Sequence, residues 1–465
     1  FVFHGNLSEI LAKQAQLTGK PFMPPIWSLG FHQSRWSYKS QDKVLDIAQK
    51  FRHHDLPLDA IHLDIHYMDR YKVFTWDPKK FPQPSKMNDE LSQKGVRTVA
   101  IVDPGVYVEK GYPVYDEGHA ENYFCRTSYD NIFWGKVWPG TTAFPDFNMD
   151  KVREWWARRH DKLLQNGVSG IWNDMNDPVL HMGKKYAPLQ EDIYHHGIHH
   201  SQVRNLYANQ EAEAAQRAFE LYQPQKRPFI LTRSAFSGIQ KFAALWTGDN
   251  HSSWSQLREN LYMILNLGLS GVPFSGADVG GFGSRRGMLG AVKILRHKEL
   301  FARWMQLGSL MPFFRAHTTL YSTCQEPWCF GKQVLQISRK HIQRRYLLLP
   351  YIYLQFRHAA QTGEPPVRPL FYRNPKLLHQ SSEYWQSQFF VGDSLLAAPI
   401  MHRHQRKRKV FLPEGEWYEF EHGTLFSGDE IHSLNTPLDY YPLFAKAGAI
   451  VPTGPLGPNS EAMHN

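Results

Sequence analysis

Eight short apolar runs, separated by helix-like stretches, constrain this chain more than any other feature. They are IWSLGFHQ from Ile26, AIHLDIH from Ala60, VRTVAIVDP from Val96 and GVSGIWNDM from Gly167, then RPFILTRS from Arg227, FAALWTGDN from Phe242, GVPFSGADVGG from Gly271 and LMPFFRAH from Leu310. Most are continuously apolar rather than alternating, the pattern of strands buried on both faces. Helical periodicity fills the gaps. In KVREWWARRHDKLLQNG, Val152, Trp155, Trp156, Leu163 and Leu164 share one face, with Asp150 expected as the cap and Asn166-Gly167 as the stop. SQLRENLYMILNLGLSG and ELFARWMQLGS read the same way. Eight strands alternating with helices predict an α/β fold, a (β/α)8 TIM barrel, over residues 21–368. An open doubly wound sheet would place a Gly-rich phosphate loop after its first strand, and none follows here.

The flanks differ. Residues 1–20 read as a linker or the remnant of a preceding domain. Residues 105–148 are long, aromatic and rich in Gly and Pro, as expected of an insertion after the third strand that walls a site. From residue 369 onward, short strands with Gly, Pro and Asp turns predict a C-terminal antiparallel β-sandwich domain over 369–465.

Composition narrows the function classes. The formal net charge is +10, but Lys and Arg are scattered. The one dense run, HRHQRKRKVFLP at 402–413, leads into a strand and reads as a solvated hairpin edge, so nucleic acid is not an expected partner. No stretch approaches the roughly 20 apolar residues of a membrane span. Three cysteines cannot form a disulfide framework: Cys324 and Cys329 can pair locally, Cys125 stays free, and a reducing compartment such as the cytoplasm is the expectation. HHGIHH, His195 to His200, has i,i+4 pairs that would suit a metal on a helix. It lacks acids at matching spacing and reads as a solvated loop, so no metal is expected.

In a barrel, chemistry sits where strands meet their following loops. The strand ends here offer Asp64, Asp103, Trp172, Asp174, Met175, Arg233, Trp246, Asp249, Asp278, Arg315 and His317. A single Asp at a strand end is ordinarily a cap or turn acid. This many in register are not. They come one per strand without paired His spacing, which fits polyol binding between aromatic walls better than a metal. A retaining glycosidase needs two carboxyls across one bond, and Asp174 and Asp249, on the fourth and sixth strands, are the two expected to face one another across the mouth.

The motifs themselves resemble glycoside hydrolase family 31. GIWNDMNDP is similar to that family's nucleophile signature. WTGDNHSSW, RPFILTRSAFSG, GVPFSGADVGGF, MQLGSLMPFFRAH, KVWPGTTAFPDF and WDPKKFPQP match further motifs, in the family's order. FVGDSLLAAPI and YPLFAKAGAIVP resemble its C-terminal sandwich. The resemblance implies that Asp174 is the nucleophile and Asp249 the acid/base. It implies that Asp64 binds hydroxyls at the non-reducing end, and that Arg233 and His317 hold hydroxyls and keep the nucleophile ionised. Trp138, Trp172, Trp246, Met175 and Phe282 would form apolar walls. It further implies release of terminal α-linked glucose from oligosaccharides with retention, and no cofactor. An α-xylosidase, α-transglucosidase or α-glucan lyase on the same apparatus, or a non-catalytic carbohydrate-binding remnant, are the rival expectations.

Three departures stand out. Asp177 replaces the family's usual Glu, His66 replaces a frequent Asp, and GSRRGMLGAVKILRHKELF differs from the usual link after the seventh strand. The N-terminal region resembles only the tail of the family's N-terminal β-sandwich, so a missing segment or a partner supplying that domain is expected.

Overall fold

The computed structural model describes residues 2–182, 185–188, 192–283, 290–320, 322–379 and 381–464. Most of the GSRRG stretch lies outside them. Eight strands close into a barrel whose order around the cylinder follows the chain. They are β1 (His32–Gln33), β2 (Ala60–Leu63), β3 (Arg97–Val102), β4 (Gly170–Asn173), β5 (Ile230–Thr232), β6 (Ala244–Trp246), β7 (Ser275–Val279) and β8 (Phe313–Ala316). The pairings β2–β3, β3–β4, β4–β5, β5–β6, β7–β8 and β8–β1 are parallel, and nearly every residue in these strands is buried. The uninterrupted apolar runs are therefore the signature of a sheet covered on both faces. Gly170 is required by packing: a Cβ there would lie 2.9 Å from the Phe229 ring and 3.0 Å from Val99.

Two local expectations are corrected. Ile26–Leu29 is a 3-10 turn rather than the start of a strand, because Ser28 donates from both its N–H (3.1 Å) and its hydroxyl (2.7 Å) to the Pro25 carbonyl. The helix predicted from Asp150 runs only to Arg159 and resumes as Asp161–Leu164, with the His160 ring bonded to the Trp156 carbonyl at 2.8 Å. Asp150 is its first helical residue, not its cap, and its carboxylate is taken by Arg153 and Arg217 instead.

The chain divides into two compact units. The first, residues 34–49 and 60–245, contains β2 to β5 and most of β6. Its insertion after β3 folds as a helix, Pro113–Ala120, and a three-stranded antiparallel sheet of Val106–Tyr107, Gly140–Ala143 and Trp134–Val137. Cys125, Phe133, Val137, Phe144, Met175, Leu180 and Ile193 form a core there, with Trp138 packed against it. HHGIHH is only in part a solvated loop: His196 and Gly197 are exposed at its turn. Tyr194–His195 and Ile198–His199 form a tight hairpin, and His195 and His200 are buried with their rings stacked.

The second unit, residues 1–33, 50–59 and 246–465, holds β1, β7, β8 and the C-terminal domain. Residues 7–18 are helical, opened by a reciprocal capping box between Asn6 and Glu9. The C-terminal domain is a six-stranded antiparallel sheet and a two-stranded one, Lys407–Leu412 with Glu430–Asn435. Leu396, Trp417 and Phe444 of the larger sheet meet Val410, Leu412 and Leu434 of the smaller in one core. The basic run is thus only partly a solvated edge: Arg408 is buried and donates to the Ser387 hydroxyl and carbonyl. Cys324 and Cys329 are joined by a disulfide, and Cys125 is free. No helix among the described residues is long and apolar enough to cross a membrane.

Candidate active site

In the first unit, Asp103, Asp174 and Asp177 gather at the ends of β3 and β4 around one guanidinium, with Asp64 at the end of β2 close enough to act on Asp103. Asp174 follows β4 directly. Its Oδ1 accepts the Met175 N–H at 2.7 Å and lies 3.1 Å from Arg233 Nη1. Met175 holds a left-handed backbone (φ 55), which is unusual for a side chain of that size and turns the chain sharply behind the carboxylate. Arg233, just past β5, also donates Nη2 and Nε to the Asp177 carboxylate and Nη1 to the Met175 sulfur. Asp177 therefore braces the arginine that faces Asp174. Asn176 is buried, donating to Thr232 Oγ1 at 2.9 Å and accepting the Ser234 N–H at 3.1 Å, which ties the β4 loop to the β5 loop.

Asp64 closes β2 and accepts the Ile65 N–H at 2.7 Å. Asp103, after β3, is buried; burial, then the charges of Asp174 and Asp64, push its carboxyl well above the usual range, with Arg233 opposing. Two carboxylates close to one cation can ionise, but a third buried acid beside them holds its proton. Trp172 lies in β4 with its ring 5.8 Å from His62. Trp138 is half-buried and packs 5.4 Å from Trp36.

The second unit carries the remaining predicted residues. Asp249 is exposed, three residues past β6 and after Gly248 in a left-handed conformation (φ 77). The turn that bears it is fixed from the β7 loop. Asn250 accepts the Phe282 N–H on its side chain (3.2 Å) and the Gly283 N–H on its carbonyl (3.0 Å), and Ser252 N–H reaches Gly283 at 2.7 Å. Gly281 permits this approach, since a Cβ there would sit 2.4 Å from the Ser252 backbone. Phe282 and His317 face one another with ring centres 5.0 Å apart. Gln325 donates its amide towards the carbonyls of Val279 (2.9 Å), His317 (3.1 Å) and Gly281 (3.2 Å), tying the β7 and β8 loops together. Arg315 and Asp278 form a fully buried pair at 2.7 Å, and the Arg315 guanidinium sits 5.2 Å from the Trp246 ring.

Two contributors were not read from the sequence. Glu211 is buried on the helix Tyr207–Tyr222, its carboxyl pushed up by burial and by Asp103 and Asp174, with Asn176 opposing. The signal was present: Glu211 falls on the stripe of Ala208, Ala212, Ala215 and Phe219, where a solvated acid does not belong. Trp36 gives no periodic signal, because it lies in a loop between β1 and the next helix. His66 bonds Ser37 at 2.8 Å, and burial, with Lys39 and Lys80 adding, holds its pKa down to about 4. It is neutral at pH 7 and does not replace an aspartate's charge. Among the described residues, the groupings able to hold a metal ion are Cys125, Asp146 and His195, and Cys324, Glu326 and Cys329; neither includes a residue named above as a candidate for sugar chemistry.

An acid and an arginine at the ends of β4 and β5, with Trp172 and Trp138 in the same unit, and in the other unit an acid past β6, are residue types that a barrel glycosidase uses. The chain belongs to glycoside hydrolase family 31: the Glycosyl hydrolases family 31 TIM-barrel domain matches residues 21–355, and the family's C-terminal domain matches 363–451. It is 41% identical over 464 residues to alpha-glucosidase 2 of Bacillus thermoamyloliquefaciens, covering 99% of this chain and 57% of that protein. A crystal structure of a glucosidase II alpha subunit superposes with a TM-score of 0.91 at 33% identity, over 99% of this chain and 50% of the other. A family 31 alpha-xylosidase from a soil metagenome superposes at 0.85 with 26% identity, over 96% and 67% respectively. The chain spans about half the length of the curated relatives it matches first.

Proposed function

We propose that this chain carries the catalytic centre of a retaining, exo-acting α-glucosidase that removes terminal α-linked glucose from oligosaccharides. The observation that carries the proposal is the Asp174–Arg233 pair at 3.1 Å within the family's nucleophile motif. Oδ1 of Asp174 is occupied by Met175 N–H and Arg233, which leaves Oδ2 to attack. Asp249 gives its proton to the glycosidic oxygen as the C1–O bond breaks and Oδ2 bonds to C1. Asp249 then takes a proton from water, which attacks C1 and frees Asp174. An exposed carboxyl on a turn held by the β7 loop suits a group that must exchange protons with each cycle. Asp64 binds hydroxyls of the terminal sugar. Arg233 and His317 hold hydroxyls too, and Trp138, Trp172, Met175, Trp246 and Phe282 supply the apolar surround. The named alpha-glucosidase relatives support glucose as the sugar.

The test is mechanistic. A 5-fluoroglucosyl fluoride should trap an ester on Asp174, and a label on another residue rejects the assignment. Asp249→Ala should slow substrates with poor leaving groups by about 10²–10⁴-fold while sparing activated ones; equal losses reject Asp249 as the acid. Product followed by NMR should emerge as the α-anomer, and a crystal structure with a bound inhibitor should place the two carboxyls about 5–5.5 Å apart, not near 9 Å. The α-xylosidase reading is kept by the structural match noted above and by neutral His66. Faster cleavage of an aryl α-xyloside than of the matching glucoside would establish it. A chain that binds glucose yet turns over no activated glucoside would be a binding remnant.

A further inference from the structure

We propose that Cys125, Asp146 and His195 form a binding site for one transition-metal dication of the zinc class, through Sγ, a carboxylate oxygen and Nδ1. The three residues come from separate parts of the first unit and are buried together, apart from the acids at the barrel strand ends. His195 Nδ1 lies 3.3 Å from Asp146 Oδ1 and 3.5 Å from Cys125 Sγ, and all three donor atoms fall within 4.8 Å of one another. Nitrogen, oxygen and sulfur ligands at zinc distances, in a tetrahedral arrangement, stand about 3.4–3.6 Å apart. The two spacings from His195 Nδ1 match that.

The surroundings are those of a built site. His195 Nε2 is engaged by His200 Nδ1 at 2.8 Å, on the side of the ring away from the cluster. A ligating histidine commonly has its second nitrogen fixed in this way, which sets the tautomer and the ring plane. Backbone hydrogen bonds hold all three segments in place: Cys125 N–H to Phe144, Asp146 N–H to Tyr123, and the reciprocal pair between Arg126 and Tyr194. The Pro145 carbonyl lies 3.5 Å from Sγ. A cleft of about 550 Å³, bordered by Asp146, Tyr194 and Met149, adjoins the cluster at Asp146. The fourth position thus falls to that carbonyl or to water. Loading expels the thiol proton, so binding strengthens as pH rises. Bound metal would cross-link the insertion to the His195 hairpin, beside the core that includes Met175 and carries Trp138.

The probe is Co²⁺, added to the chain after stripping with chelator. One Co²⁺ per chain should bind and give a thiolate-to-cobalt charge-transfer band, which Zn²⁺ abolishes by displacement. Cys125→Ser should lose the band. Cys324→Ser/Cys329→Ser should keep it. His200→Ala should weaken Co²⁺ binding by about 10–100-fold without abolishing it. Far-UV circular dichroism checks that each variant is folded, and His195→Gln repeats the test should Cys125→Ser unfold. Metal content of the wild-type chain, stripped and reloaded with zinc, needs no variant. Failure of that chain to take up zinc or Co²⁺, or a band that persists in Cys125→Ser or follows the Cys324–Cys329 pair, overturns the proposal and leaves a metal-free hydrogen-bonded cluster.

Discussion

Two arginine–aspartate pairs lie towards the ends of barrel strands, Asp278 and Arg315 inside β7 and β8 and Asp174 and Arg233 just past β4 and β5, and burial sets them apart. Arg315 and Asp278 are wholly covered, at 0% exposure each, while Arg233 and Asp174 each keep 17% and share the guanidinium with Asp177. In sequence the two pairs give the same signal, an acid on one strand and an arginine on another. A sealed ion pair cannot meet a substrate and acts by holding strands in register. A half-open pair can exchange one of its partners for a sugar. The comparison teaches that charge at a strand end marks a candidate site, and only its access to solvent decides whether it does chemistry.

The comparison breaks most visibly at the sealed pair. Arg315→Met should cost about 3–5 kcal/mol of stability by removing the cation that faces the buried Asp278 carboxylate. Arg315→Met/Asp278→Leu should recover most of that loss in urea unfolding; if the double variant is no better than the single, the pair is not the reason. At the open pair the balance should reverse. Arg233→Met should cost about 1 kcal/mol of stability or less. It should lower kcat/KM by about 10²–10³-fold, the range for losing one preorganised charge in an active site. A large stability loss with intact turnover would place Arg233 with Arg315.

A third test reads the shared acids by pH. Asp103 holds its proton when folded and releases it when unfolded, so the folded state binds more protons and stability falls as pH rises above about 4. Asp59 in the other unit, pushed up to about 6 by burial, makes its own decline between about pH 4 and 6. Asp103→Asn should therefore make the urea midpoint fall less steeply above about pH 4, leaving the declines that belong to Asp59 and Glu211. An unchanged slope above pH 6 would mean Asp103 is ionised in the fold. The smallest effect is expected from Asp177→Glu, which restores the family's usual acid within reach of the same guanidinium. Its kcat/KM should change by less than about fivefold, as for a partly exposed ion pair.

Much of this arrangement was legible in the chain because the barrel writes itself as buried runs. Every strand end that carries Asp64, Asp103, Asp174, Asp249 or His317 follows an apolar segment a reader can locate. What was hidden is non-local. Cys125, Asp146 and His195 meet only because backbone pairing draws three segments together across 70 residues. His195 and His200 looked like part of a wet loop, since nothing in HHGIHH reveals that a hairpin turned at His196 and Gly197 buries two of its rings. β1 is two residues long, too short to be told from the turn before it.

The tether made by Gln325 has a consequence for how the β7 and β8 loops can change. One amide nitrogen holds both the loop bearing Phe282 and the loop bearing His317, so neither can be resized alone without unhooking the other. Changes of sugar preference on that side should then arrive as paired edits in two distant stretches of sequence. Random mutagenesis confined to a single loop should return mostly damaged proteins.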